Sequence, residues 1–92
     1  EHRALADAVA AEVEAARAAV LAGIVKWKAS TEEEGAARSA LAVAEDRFQA
    51  GASLLVEVLD AQRALSEARV RHIRAQAGLH LARLALRIAM GG

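Results

Sequence analysis

An all-α fold, a long antiparallel two-helix coiled-coil hairpin, is what this 92-residue sequence predicts. Three observations predict it. The composition is helical: 55% hydrophobic, 2% aromatic, no proline, and rich in Ala, Leu, Arg and Glu, which are among the strongest helix formers. Apolar or small residues recur at steps of four and three in two stripes. One runs through Val13, Ala16, Val20, Gly23, Trp27, Ser30, Glu34, Ala37, Leu41, Ala44 and Phe48. The other runs through Leu54, Val58, Ala61, Leu65, Ala68, His72, Ala75, Leu79, Ala82, Leu86 and Ala89. A 3.5-residue repeat sustained this far specifies a supercoiled helix with one buried seam. Finally, the two stripes flank Gly51, where the chain must reverse.

The first arm is expected over residues 3–49. Ser30 and Thr31, followed by Glu33 and Glu34, match a helix-start capping box. The heptad phase passes through them without slipping, which favours one helix over two and a hairpin over a three-helix bundle. The turn is expected over 50–53. Gly51 supplies a left-handed residue to close the first helix, and Ser53 is placed to cap the second. The second arm follows over 54–90, with Glu57 and Asp60 near its N-terminus, where the helix dipole favours anions.

Pairing residues whose numbers sum to 102 tests the register. Leu41 then meets Ala61, Ala37 meets Leu65, Trp27 meets Ala75, Gly23 meets Leu79 and Ala16 meets Leu86. Nearly every layer sets a large residue against a small one, as close packing requires. Two layers are polar: Glu34 faces Ala68, and Ser30 faces His72. A polar layer in a long seam fixes register at some cost in stability. So alanine-rich a core buries little area, so the hairpin is expected to need neighbours. A second apolar face away from the turn supports this. It carries Val70, Ile73, Ala77, Leu81, Leu84 and Ile88 on one arm and Ala11, Ala15, Ala18, Leu21 and Val25 on the other. A helix apolar on two opposite faces has neighbours on both. Closer to the turn, Ser39, Asp46, Arg63 and Glu67 make the outer face polar.

Charge narrows the function classes. Net charge is zero, which argues against a general nucleic-acid binder. Residues 1–50 hold nine acids and six bases, and residues 51–92 three acids and six bases, so the arms carry −3 and +3 and attract. Arg69, Arg71 and Arg74 form the densest basic cluster, with Glu32, Glu33 and Glu34 as counterparts. Cysteine is absent, which excludes disulfides and thiolate metal sites. No uninterrupted apolar run reaches the length of a membrane span, and no signal peptide opens the chain. His2, His72 and His80 are too scattered for a metal site, and neither a phosphate loop nor a nucleophile motif is present. The expectation is a non-enzyme without cofactors.

The run Ala44-Glu45-Asp46-Arg47-Phe48-Gln49-Ala50-Gly51, followed by Ser53 and by Glu57-Val58-Leu59-Asp60-Ala61 with Leu65, resembles the TolC family of outer-membrane efflux proteins. Ala8 to Arg17, Glu67-Ala68-Arg69 and Ala89-Met90-Gly91 are similar to its flanking helices. The resemblance implies a fragment of a periplasmic α-barrel: the helical hairpin of the second repeat in a trimeric channel of a tripartite efflux pump. It implies a tip turn and adaptor-docking region at Phe48, Gly51 and Ser53, and channel-entrance acids at Glu57 and Asp60. Some members place a basic residue two after the glycine to pair with those acids; Ser53 holds that position here. The implied partners are other protomers, as a trimer in the parent channel or a dimer of the isolated chain, and a periplasmic adaptor protein. The outer membrane would be reached only through missing parts of the parent: both β-hairpins, the first repeat and any lipid anchor. The implied location is the periplasmic portion of an outer-membrane protein. The alternative is a stand-alone self-associating hairpin acting as a protein-interaction module.

Overall fold

The computed structural model describes residues 2–91, and among these there are two helices and no strand. Helix α1 spans His2–Gln49 and helix α2 spans Leu55–Ala89. The capping box at Ser30-Thr31 does not start a helix, because α1 runs through it unbroken. The chain thus folds as an antiparallel helical hairpin. It comprises two compact units: the first arm up to Trp27 with the second from Ala75 onward, and Lys28–Arg74 around the turn.

In the turn-bearing unit the seam is the predicted one. Val58, Leu65 and Ala68 are buried apolar residues, Ser30 is buried, and Glu34, Ala37, Leu41, Ala44, Ala61 and His72 are half-buried. The register is fixed where Ser30 Oγ lies 3.1 Å from His72 Nδ1, a pair whose numbers sum to 102. A serine inside a helix otherwise competes for backbone groups; here its hydroxyl has a partner across the seam. In the other unit, Leu79 is the buried apolar side chain, with Val13, Ala16, Val20, Gly23, Ile24, Trp27, Ala75, Ala82, Leu86 and Ala89 half-buried. Its register is visible at Gly23, where a Cβ would lie 3.3 Å from the Leu79 Cα and 3.2 Å from its Cδ1. Glycine there lets the two backbones approach, which is the packing reason for a residue that otherwise weakens a helix.

The ends of both stripes differ from expectation. Phe48 is 43% exposed and Leu54 70% exposed, so neither closes the seam. The heptad rule holds only where both arms are helical, and Leu54, the register counterpart of Phe48, lies in the non-helical stretch between Ala50 and Leu55. Ser53 turns inward instead and is half-buried.

Candidate functional site

The turn is built by backbone hydrogen bonds that end α1. Ala52 N–H donates to the Arg47 carbonyl at 2.8 Å and Gly51 N–H to the Phe48 carbonyl at 3.0 Å. This pair of bonds, with Gly51 left-handed at φ 74°, is a Schellman closure. Beyond Gly51 and its chain neighbours, no atom lies within 4 Å of where a Gly51 Cβ would stand, so glycine is needed there for its backbone conformation alone. Arg47 also holds the next peptide: its Nη2 donates to the Ala52 carbonyl at 3.3 Å. The guanidinium thus carries one of the hydrogen bonds holding the turn, a role the sequence did not disclose.

The start of α2 corrects one expectation. Glu57 N–H bonds to the Leu54 carbonyl at 3.0 Å, which puts the first helical turn one residue later than a Ser53 cap requires. Ser53 Oγ is buried and has no hydrogen-bond partner; it does not cap the helix. Glu57 lies in the first turn of α2, and Asp60 follows three residues on, on the same side. Both line an open groove of about 310 Å³ with Ala40, Val43, Ala44 and Arg47 of α1. Phe48, Gly51, Glu57 and Asp60 are therefore gathered near one end of the turn-bearing unit, on its surface. Ser53 lies between them, facing inward.

The same end is more apolar than the sequence suggested. Val43, Phe48, Leu54, Leu55, Val56 and Leu59 are all exposed there. A signal was present: three consecutive apolar residues, Leu54 to Val56, lead into α2, and a helix start can turn only one or two of them toward a seam.

Further from the turn the polar layer grows into a network. Glu33 Oε2 accepts from Arg71 Nε at 3.0 Å, and Glu34 Oε1 accepts from Arg38 Nη2 at 2.7 Å. Arg69 Nε is 3.9 Å from the same Glu34 oxygen, and His72 Nε2 is 4.0 Å from the other. The basic cluster of α2 therefore engages the acidic run of α1, as the opposite charges of the two arms predict. His80 is exposed on the flank. No group of three or more His, Cys, Asp or Glu side chains capable of holding a metal occurs among the described residues.

The outward faces remain open to solvent. In the turn-bearing unit they include Val70 and Ile73, and in the other unit Leu21, Val25, Leu81, Leu84 and Ile88. No helix among the described residues is long and apolar enough to cross a membrane. The arrangement offers surfaces for neighbouring helices and a small charged groove beside the turn.

Comparison with known proteins is consistent with this architecture. The family model described as outer membrane efflux protein matches residues 3–92, nearly the whole chain. No curated protein and no solved structure gives a significant match.

Proposed function

Because the chain belongs to the outer membrane efflux protein family, we propose that it is a helical stave of the periplasmic α-barrel through which such a channel passes exported substrate. Proteins of this family are outer-membrane channels rather than enzymes; they form trimers and work with adaptor proteins. The observation that carries the proposal is the second apolar face. Leu81 and Ile88, 64% and 76% exposed, sit on a helix whose other face already packs in the seam. Large apolar side chains left wet on a helix already packed on one side call for a second neighbour. In a barrel wall every stave has two.

On this reading the turn faces the adaptor, and Phe48, Gly51 and Ser53 form the docking tip. Leu54, Leu55 and Val56 add the apolar area that such a contact buries. Glu57 and Asp60, repeated by threefold symmetry, form an acidic ring at the channel mouth that attracts cations. Two measurements on the full-length channel test this. A photocrosslinker at Ile88 should capture a second copy of the chain, and one at Leu55 should capture the adaptor. Replacing Glu57 and Asp60 by their amides should weaken cation preference and block by multivalent cations in planar bilayers. Unchanged selectivity and block would reduce the two acids to partners of the helix dipole.

The same exposed faces also suit a stand-alone hairpin that self-associates. The sequence flanking this chain in its gene separates the two: alternating β-strand patterns upstream support the channel.

A further inference from the structure

The groove beside the turn contains a basic group that the entrance-acid reading leaves without a role. Arg47 comes from the last turn of α1 and lines the same groove as Glu57 and Asp60 of α2. Its guanidinium is tied to the turn: Nη2 donates to the Ala52 carbonyl at 3.3 Å, and the Arg47 carbonyl accepts from the Ala52 N–H. The two bonds tie the side chain and the backbone of one residue to the two peptide groups that flank the Ala52 Cα. A guanidinium has five N–H donors and keeps its charge at any pH relevant to a protein, so bracing the turn leaves most of its donors and all of its charge for the groove.

We propose that Arg47 is the resident counter-charge of the channel mouth, a positioning residue that is pinned by the turn and sets how strongly Glu57 and Asp60 take up cations. The inference rests on the entrance-acid reading above and deepens it. With Arg47 in place the groove carries one net negative charge per chain rather than two. Removing that charge makes the mouth more attractive to multivalent cations. A unit charge about one Debye length from a trivalent ion shifts its binding by a few-fold at physiological salt, and three copies act together in a trimer.

The test uses the full-length channel in planar bilayers, with hexamminecobalt(III) as the blocking ion and permeability ratios from reversal potentials. Arg47→Gln loses the charge but keeps a donor for the Ala52 carbonyl. Arg47→Met loses both and keeps the aliphatic stem, so a neutral variant is available even if one of the two assembles poorly. Both neutral variants should be blocked at about threefold lower cobalt complex concentration, or less. Arg47→Lys, which keeps the charge but not the fork, should restore ordinary block. In a Glu57→Gln/Asp60→Asn background, Arg47→Gln should produce a much smaller change.

If the neutral variants match the parent while the amide pair still weakens block, the Arg47 inference falls and the entrance acids stand. If the amide pair itself leaves block unchanged, the entrance-acid reading falls and takes this inference with it. An equal change in Lys and Gln variants would assign Arg47 to turn bracing alone and also overturn the proposal.

Discussion

Replacing Ser30 by alanine should destabilise the hairpin by about 1 kcal/mol, although alanine is the better helix former. Ser30 is 5% exposed and its hydroxyl lies 3.1 Å from His72 Nδ1. Losing that bond inside the seam costs about 1.5 kcal/mol, the upper end for a neutral pair. Against this, alanine returns roughly 0.5 kcal/mol of helix propensity, and water can reach part of the His72 ring, whose side chain is 21% exposed. His72→Leu should also destabilise, because it removes the same hydrogen bond. The double variant Ser30→Ala/His72→Leu should cost less than the two single changes added together, since either one alone already removes the shared hydrogen bond. Urea unfolding followed by circular dichroism at fixed protein concentration gives the cycle, with an expected coupling of about 1 kcal/mol.

Register is the second readout of the same cycle. If α2 slips by one heptad, so that paired numbers sum to 109, Leu41 meets Ala68, Ala44 meets Leu65 and Gly23 meets Leu86. Large still meets small, so apolar packing alone barely distinguishes the two registers. The Ser30–His72 layer does, because the slip sets Ser30 against Leu79 and His72 against Ala37. A disulfide between cysteines at positions 37 and 65 should form readily in the parent background and less completely in the double variant. Equal, complete cross-linking in both, together with zero coupling energy, would refute the argument that this layer selects the register.

Three further outcomes follow from the same contacts. Gly35→Ala and Gly78→Ala should each stabilise by about 0.5–1 kcal/mol in unfolding experiments, because both glycines lie in helix interiors with no atom within 4 Å of an added Cβ; Gly23→Ala should gain less or lose, since its Cβ meets Leu79. Gly51→Ala should cost about 1–2 kcal/mol, the penalty of a left-handed φ for a residue with a Cβ, seen as a lower urea midpoint with unchanged slope. The isolated chain should self-associate in sedimentation, and Ile88→Glu with Leu81→Glu should shift it toward monomer while leaving its helicity intact; a folded monomer of the parent at high concentration would count against the second apolar face as an interface.

The seam was legible because a heptad repeat is a statement about helix geometry. A residue's position modulo seven decides which face it occupies, and the large-to-small alternation across layers decides which residue it meets. Even the polar layer was readable, since a serine and a histidine interrupting two apolar stripes at numbers summing to 102 have an obvious use for one another. The turn was harder. The repeat does not apply to Leu54, which is outside both helices, and Phe48, though still in α1, has that non-helical residue as its counterpart in the register. Arg47 gave no signal at all: its hydrogen bond to Ala52 exists only once the Schellman closure has brought that carbonyl back over the last turn of α1.

By itself, then, the sequence determined the hairpin, its reversal at Gly51 and the face each arm buries, because these depend on local propensity and on a periodicity that the chain carries along its length. Only the tertiary structure decided which groups share the groove beside the turn and where the Ser53 hydroxyl goes. Ser53, expected to cap α2, turned a buried hydroxyl inward without a partner. Those outcomes depend on where a non-helical stretch of five residues, 50–54, directs its side chains, and no helical repeat encodes the geometry of a segment that is not a helix.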